Sequence, residues 1–491
     1  MSSNLNYSLR KVKIIATIGP ASSSKEKLRE LALAGMDIAR LNFSHGTHSD
    51  HEKVIKALRE LTDEIGKPIS IMQDLQGPKL RVGSIHKDGI PIEKDEVVLL
   101  TSSQNKTDNT AITGEKIIIP FEVPNLSSSL SKGDRILLDD GTIELKVIDL
   151  QHDFIEAIVI IGGVVKSHKG VNLPGAELDF PFFTEKDKAD LKFGLKQKVD
   201  AVALSFIRKS ADIQFVRQFI LEEVGSEASI PLIAKLECPE AITDLENIVV
   251  ASDGVMVARG DLAVETSPAA VPIIQKKIIE LANHQAKLVI TATQMLESMI
   301  YNPRPTRAEA SDVANAVFDG TDAIMLSGET AVGKYPVETI RMMDGIVREA
   351  ESHAKEWGFS SSEKETPTLE DAVSITRAAR ELAHDRNVAI IAVFTESGKT
   401  ALLMSKARPN VPIMAFTPIK ETFQRLPFLW GVIPILSPFT STVENMLTQV
   451  EAGILSSRSI EPGQQVIIIS GFPVGEMRPP NFTLLHTIQN K

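Results

Sequence analysis

The apolar positions of the chain fall in short, unbroken runs. Val12–Ile18, Ile38–Phe43, Ile69–Leu75, Ala201–Ile207, Leu232–Leu236, Val255–Ala258, Leu288–Ala292 and Ala323–Leu326 are each of strand length and rich in Val, Ile, Leu and Ala. Unbroken rather than alternating hydrophobicity suits parallel strands buried on both faces. Amphipathic helical patterns lie between most of these runs. Ser23 with Glu26, ahead of Leu28 and Leu31, predicts one capping box, and Thr306 with Glu309, just after Pro305, predicts another. Strands alternating with helices predict an α/β protein. Eight such strands favour a (β/α)₈ TIM barrel, with an open doubly wound sheet as the alternative.

The third and fourth runs are far apart, and the interval between them has a different texture. Gly-Asp, Asp-Gly and Lys-Gly pairs punctuate short β-rich runs. Ile136–Leu138, then Asp139-Asp140-Gly141, then Ile143–Val147 is a hairpin signal. A small all-β domain over residues 78–171, inserted in a barrel loop, is expected. On the carboxyl side of the third strand it would lie over the active face as a lid. Ser360–Pro367 reads as a polar linker. Beyond it Ala389–Phe394, Ile413–Phe416 and Val466–Ile469 again alternate with helical patterns, which predicts a C-terminal α/β domain. The expected division is 1–77 and 172–352 for the barrel, 78–171 for the lid and 353–491 for the C-terminal domain.

Composition narrows the function more than the fold. With 491 residues, 43% hydrophobic and 24% charged, the chain has the ordinary globular balance, which excludes disordered, collagen-like and coiled-coil classes. Lys+Arg 53 against Asp+Glu 64 leaves a net charge of −11, so no non-specific affinity for nucleic acid or acidic lipid is expected. Cys238 is the single cysteine; it excludes an intrachain disulfide and fits a reducing compartment. No run reads as a signal peptide or reaches the ~18 apolar residues of a membrane span. A soluble, cytoplasmic protein is the expectation.

Candidate chemistry sits where barrels keep it, at the carboxyl ends of the strands. Strand two ends in Arg40, Asn42 and Ser44, strand three in Asp74, and strand five in Lys235 and Glu237. Strand six ends in Arg259, Gly260 and Asp261, strand seven in Thr291 and Thr293, and strand eight in Ser327 and Glu329. Residues two apart on a strand share a face, so Arg40, Asn42 and Ser44 are expected together, as are Lys235 with Glu237, Arg259 with Asp261, and Thr291 with Thr293. Glu237 and Asp261 on neighbouring strands suit Mg²⁺, which takes only one or two protein carboxylates. Arg40, Arg81, Lys235 and Lys169 supply cations for a polyanion. Together these point to phosphoryl transfer, in which a protein mainly positions groups and neutralises charge. Gly328 to Lys334 imitates a P-loop, but Tyr335 stands where that motif needs Ser or Thr. His48 and His51 read as solvated, and Cys238 has no Cys partner for a zinc site.

These residues, in this order, resemble pyruvate kinase along nearly the whole chain. The resemblance is carried by Thr17-Ile18-Gly19-Pro20-Ala21-Ser22, Ala39 through Gly46, Ala258-Arg259-Gly260-Asp261-Leu262, Thr293 through Met299, Pro305-Thr306-Arg307-Ala308-Glu309 and Asp312 through Val317. It implies transfer of the phosphoryl group of phosphoenolpyruvate to ADP, with a barrel, a lid, a C-terminal regulatory domain and a homotetramer. It implies Glu237 and Asp261 as ligands of Mg²⁺ or Mn²⁺, Lys235, Arg40 and Arg81 at the transferring phosphoryl group, and Gly260 and Asp261 at the substrate. Pro20, Asn42, His45 and Lys169 match nucleotide-side positions. Thr293 lies where the enolate is protonated, with Ser327 or Glu329 in the path. Two departures from the family pattern stand out. Lys79 replaces a Glu that accompanies a K⁺ site matching Asn42, Ser44, Asp74 and Leu75, and Leu75, Gln76 and Val82 accompany it, which implies independence from K⁺. Ala263 replaces a Gly. Thr395, Ser397, Gly398, Lys399 and Thr400 open a helical pattern and resemble the family's effector loop for sugar phosphates or nucleotide monophosphates. Two other classes remain open at this point: a metal-dependent lyase or aldolase with Lys235 as a Schiff base, and a non-catalytic metabolite sensor.

Overall fold

The structure, a computed structural model, describes residues 10–78, 80–102, 112–113, 116–122, 130–139, 141–151, 154–175, 181–225, 230–358, 368, 370–457, 461–476 and 478–489. The chain opens with β1 (Lys13–Thr17), α1 (Lys25–Ala34), β2 (Ile38–Asn42), α2 (His48–Ile65) and β3 (Ser70–Asp74). Ten strands follow: β4 (Leu80–Arg81), β5 (Ile90–Ile92), β6 (Val97–Ser102), β7 (Ile112–Thr113), β8 (Lys116–Phe121), β9 (Arg135–Leu138), β10 (Ile143–Leu150), β11 (Phe154–Ile161), β12 (Gly163–Val165) and β13 (Gly170–Asn172). Alternation then resumes with α3 (Glu185–Lys196), β14 (Ala201–Leu204), α4 (Ser210–Val224), β15 (Leu232–Leu236), α5 (Pro239–Thr243), α6 (Leu245–Ala251), β16 (Gly254–Ala258) and α7 (Arg259–Glu265). It continues through α8 (Val271–His284), β17 (Leu288–Ala292), α9 (Arg307–Asp319), β18 (Ala323–Leu326), α10 (Gly328–Ala331), α11 (Pro336–Ser352) and α12 (Ala354–Trp357). The last part holds α13 (Asp371–Arg386), β19 (Ile390–Phe394), α14 (Lys399–Lys406), β20 (Ile413–Thr417), α15 (Lys420–Arg425), β21 (Val432–Leu436), α16 (Val443–Ser457), β22 (Gln465–Ser470) and β23 (Phe482–Thr487).

Eight strands close into a parallel barrel in the order β1-β18-β17-β16-β15-β14-β3-β2, which settles closure against the open sheet. Every residue of β1, β3, β15, β16 and β17 is buried, because side chains fill the barrel on one face and meet helices on the other. Ile15, Ile38, Met72, Ile233, Met256 and Ile290 pack inside. Helix starts follow local capping chemistry. Thr306 and Glu309 form the expected box at α9. At α1 the cap is Ser24, whose side chain accepts from Lys27 N, and not Ser23.

Between β3 and α3 the chain builds a separate sheet, β4-β13-β9-β10-β11-β6-β8-β7, with a core of its own around Leu145, Val159 and Phe121. The anticipated hairpin is β9–β10, antiparallel with Ile143 opposite Leu138. The C-terminal sheet runs β21-β20-β19-β22-β23, with β23 antiparallel to β22. The expected linker at Ser360–Pro367 lies outside the described residues. This sheet's domain is docked under the barrel. Phe428 joins the barrel's interior cluster, Ser70 Oγ donates to Gln424 O at 2.6 Å, and Asp322, one residue before β18, receives Lys406 at 2.5 Å and Arg408 at 2.7 Å. At the opposite end, where the strands finish, the inserted sheet meets α7: Asn172 Nδ2 donates to Glu265 Oε1 at 2.8 Å.

Candidate active site

Four strands bring one charged cluster together at their carboxyl ends. Lys235, on β15, places Nζ 2.8 Å from Glu237 Oε1, 3.3 Å from Asp74 Oδ1 and 2.7 Å from Ser205 Oγ. Asp74, ending β3, gives its other oxygen to Arg40 Nε at 2.7 Å. Arg40, on β2, also donates from Nη1 to Thr17 Oγ1 at 3.0 Å. Glu237 Oε2 accepts from Phe206 N at 2.7 Å. Burial disfavours a charge on Lys235, but Asp74, Glu237 and Asp261 outweigh it and hold the ammonium above its ordinary range. Burial likewise opposes the Asp74 carboxylate, and Lys235 and Arg40 hold it below the usual range.

Two cations, Arg40 and Lys235, stand among three carboxylates, Asp74, Glu237 and Asp261. Asp74 is engaged by both cations. Glu237 directly follows β15 and Asp261 lies in α7, which follows β16, and the two strands are hydrogen-bonded neighbours. Two hard oxygen donors on neighbouring strand ends fit Mg²⁺ or Mn²⁺ completed by substrate oxygens and water. Among the described residues no group of three or more His, Cys, Asp or Glu side chains forms a metal cage.

A second arm stands on the other side. β17 ends at Ala292, and Thr293 and Gln294 turn away at φ 67° and 55°. Thr293 Oγ1 accepts from Gly260 N at 2.8 Å and donates to Ala292 O at 2.6 Å. Glu329 is buried and accepts from Leu296 N at 3.1 Å and Ser327 N at 2.7 Å. Burial pushes its carboxyl up. Ser327 Oγ is buried and meets no protein hydrogen-bond partner among the described residues.

A family model described as pyruvate kinase, barrel domain, matches residues 9–340, and one described as pyruvate kinase, alpha/beta domain, matches residues 373–486. The chain is 42% identical over 486 residues to a pyruvate kinase of Geobacillus stearothermophilus, covering 98% of this chain and 81% of that one. It is 41% identical over 479 residues to a pyruvate kinase of Corynebacterium glutamicum, covering 98% of each. A crystal structure of a pyruvate kinase from Cryptosporidium parvum superposes with a TM-score of 0.87 at 35% identity, covering 98% of this chain and 96% of that one. The chain belongs to the pyruvate kinase family. It is a phosphotransferase, and no helix among its described residues is long and apolar enough to cross a membrane.

Not every residue that suggested pyruvate kinase in the sequence lies in the charged cluster. Arg81 and Lys169 sit side by side on the inserted sheet, where Gly170 pairs with Arg81. Arg81 Nη1 donates to His168 O at 2.8 Å, and Lys169 Nζ is 2.9 Å from Asp139. Neither has a bond to Lys235, Glu237 or Asp74 among the described residues. Pro20 and His45 are exposed in turns after β1 and β2, and Asn42 Oδ1 accepts from Ser44 N at 3.1 Å. Lys79 lies outside the described residues.

Three local expectations are corrected. Arg259 does not share a face with Asp261: α7 begins at Arg259, so the two point apart, and Arg259 binds Thr293 O, Gln294 O and Asp312. Thr291 and Thr293 separate for the same kind of reason. Thr291 Oγ1 meets Thr321 Oγ1 at 3.0 Å, while the positive φ of Thr293 turns it elsewhere. His48 and His51 are not simply solvated. His48 Nε2 is 2.7 Å from Asp190 and stacks on Phe193, and His51 is buried, stacks on Phe43 and bonds His45 O at 3.0 Å. Ser205 and Phe206, which follow β14, carry no charge that marks them in the sequence, and Thr17, part of the first motif, gains its place beside Arg40 only in the fold.

In the C-terminal domain, Gly398 at φ 89° opens α14, and Gly398 N donates to Thr395 Oγ1 at 2.9 Å. Thr395, Ser397, Lys399, Thr400, Phe439 and Arg478 line a cavity of about 240 Å³.

Proposed function

We propose that this chain transfers the phosphoryl group of phosphoenolpyruvate to ADP, giving pyruvate and ATP, at the Lys235 cluster with Mg²⁺ or Mn²⁺ held by Glu237 and Asp261. The single observation that carries this reading is the Lys235 ammonium, held protonated between Glu237 and Asp74. When bound, the divalent cation supplies charge neutralisation for the substrate oxygens. Lys235 and Arg40 do the same for the phosphoryl oxygens and for the enolate oxygen released as the bridging P–O bond breaks. Asp74 orients both cations. Arg81 and Lys169 act from the lid, with Pro20, Asn42 and His45 on the nucleotide side. The enolate then takes a proton at carbon three from solvent. Thr293, with both hydroxyl bonds spent on backbone in this conformation, relays it after releasing Ala292 O, with Ser327 and Glu329 alongside. Gly260 orients Thr293.

A Schiff-base lyase has no support in this geometry, because an ammonium paired with two carboxylates is a poor amine nucleophile. A sensor without chemistry is opposed by the completeness of the charged set.

Four finer points belong to the same proposal. The lid is proposed to begin at 78 and the C-terminal domain at 353, while the lid's expected end at 171 moves past β13, because Asn172 still pairs with Leu137 of the inserted sheet. Lys79 replaces the charge of K⁺ near Asn42, Ser44 and Asp74, so K⁺ is not required. Thr395, Ser397, Gly398, Lys399 and Thr400 bind the phosphate of a sugar phosphate or nucleotide effector, supported by the place of Thr395, Ser397, Lys399 and Thr400 on a cavity and of Gly398 at the start of α14. A cytoplasmic homotetramer is proposed, supported by an apolar groove of about 970 Å³ between α9 and α11 beside exposed Trp357.

The deciding experiment is pyruvate formation from phosphoenolpyruvate, ADP and Mg²⁺, with and without K⁺. Activity in both buffers supports the reaction and the Lys79 substitution together. Activity only with K⁺ removes the Lys79 argument, and inactivity of folded protein in both removes the proposed reaction.

A further inference from the structure

The inserted domain leaves the barrel after β3 and the chain resumes the barrel at α3. Gly77 lies on the outgoing side at φ 68°. It is pressed against the catalytic cluster's supports: a Cβ there would stand 3.0 Å from the Ser205 Cβ and 3.0 Å from the Phe206 ring. Ser205 bonds Lys235, and Phe206 bonds Glu237.

On the incoming side, Thr184 caps α3. Asp187 Oδ2 accepts from Thr184 N at 3.0 Å and from Thr184 Oγ1 at 2.6 Å, which completes a capping box. The other oxygen, Oδ1, accepts from Gly77 N at 3.0 Å, across 110 residues of sequence. An ordinary cap does not need this second bond. The box of Thr47 with Asp50 is exposed, and its bonds stay within its own turn. Asp187 is 1% exposed. The next residue back, Lys186, donates to Phe43 O at 2.6 Å, in the loop that carries His45. One turn of α3 therefore ties together both ends of the insertion and the nucleotide-side loop.

We propose that Asp187 is a positioning residue for phosphoryl transfer. Its carboxylate clasps the two connections of the lid and fixes where Arg81 and Lys169 arrive over the Lys235 cluster. The inference rests on the phosphotransferase reading above. Misplacement of a reacting group by about 1 Å costs on the order of 10²-fold in rate, so a loosened clasp shows in transfer to ADP. It leaves untouched a partial reaction confined to the barrel, the exchange of pyruvate methyl protons with solvent.

The test uses the full chain with Mg²⁺ and two assays: pyruvate formation with ADP varied, and deuterium incorporation at carbon three of pyruvate in D₂O by NMR, without nucleotide. Asp187→Ala removes every contact of the clasp, and Asp187→Asn keeps one acceptor oxygen. The expected result is a fall of about tenfold or more in kcat/KM for ADP in Asp187→Ala and a smaller fall in Asp187→Asn, with exchange within about twofold of wild type. Unchanged transfer, or transfer and exchange falling by the same factor, overturns the proposal. Should Asp187→Ala fail to fold, Thr184→Val, which loses only a hydroxyl, is read on the same assays: a selective fall in transfer supports the clasp and an unchanged ratio overturns it. A wild-type chain that exchanges deuterium but forms no pyruvate from phosphoenolpyruvate and ADP would overturn the phosphotransferase reading as well.

Discussion

Lys235 and Glu237, two positions apart across the end of β15, meet with Nζ 2.8 Å from Oε1. The pair shows how a strand end stores charge for use: burial alone would disfavour the ammonium, and Asp74 and Glu237 hold it protonated. The same Nζ also donates to Ser205 Oγ and faces Asp74, so its position is fixed by three groups from three strands. Lys235→Met is expected to lower kcat by about 10²–10³-fold, the usual cost of losing one preorganised electrostatic donor. Lys235→Arg is expected to rescue little, because a planar fork does not replace a compact ammonium in this pocket. Steady-state kinetics with Mn²⁺ binding measured in parallel decide this. Full activity in Lys235→Met would reject the assigned role.

Glu237 gives the next prediction. Its Oε2 accepts from Phe206 N, which aims the carboxylate independently of Lys235. Glu237→Gln keeps the shape and removes the charge. Mn²⁺ affinity, read by electron paramagnetic resonance, is expected to fall about tenfold or more, since losing even an outer partner of a metal ligand costs about 10–100-fold. Chelation of wild-type protein is expected to abolish turnover, with Mg²⁺ restoring it. Undiminished Mn²⁺ binding in Glu237→Gln would remove this residue from the metal site.

Much of the barrel was legible because burial on both faces leaves an unmixed apolar signal. Leu232–Leu236, Leu288–Ala292 and Ala323–Leu326 begin and end in the structure where the sequence runs do. β21 and β23 were not anticipated. Each is an edge strand of its sheet with half-buried positions, and β21 carries Pro434, which an edge strand tolerates. Asp261 was placed at the right strand end but on a strand extension, whereas α7 starts at Arg259 and Asp312 draws that guanidinium outward. The bond from Gly77 to Asp187 lies beyond any periodicity argument, because only the return of the chain from the inserted sheet brings the two together.

The base of the barrel makes a stability prediction with a definite pH sign. Asp37 meets Arg10 at 2.7 Å and Lys67 at 3.1 Å, and accepts from Ile14 N at 3.0 Å. Burial pushes its carboxyl up, but Arg10, Lys67 and Lys13 outweigh burial and hold it well below the usual range. An unfolded Asp titrates near pH ~3.9. Below that value the unfolded chain binds more protons than the folded one, so this contribution is complete above about pH 4 and is lost as pH falls further. Asp37→Asn is expected to cost about 3–5 kcal/mol at pH 7, the range for breaking a buried pair. The gap between wild type and variant in urea midpoint should narrow between pH 7 and pH 3. A gap of constant width would contradict the depressed carboxyl.

Ser327 offers the sharpest separation of structure from function. Its hydroxyl is buried without a protein hydrogen-bond partner among the described residues, while its own N–H is held by Glu329. A buried polar group left unsatisfied costs about 1–3 kcal/mol, so Ser327→Ala is expected to leave thermal stability unchanged or to raise it. A hydroxyl kept at that cost next to Glu329 fits the proposed proton delivery to the enolate. The same variant is therefore expected to slow deuterium incorporation into pyruvate by about tenfold, within the span typical of a lost acid–base group or its relay. Phosphoryl transfer that liberates enolpyruvate needs no proton and should be less affected. Thr293→Val tests the neighbouring link and is expected to act in the same direction. Lower stability with unchanged exchange in Ser327→Ala would make this serine a packing residue, and the proton path would then have to run through Thr293 and Glu329 without it.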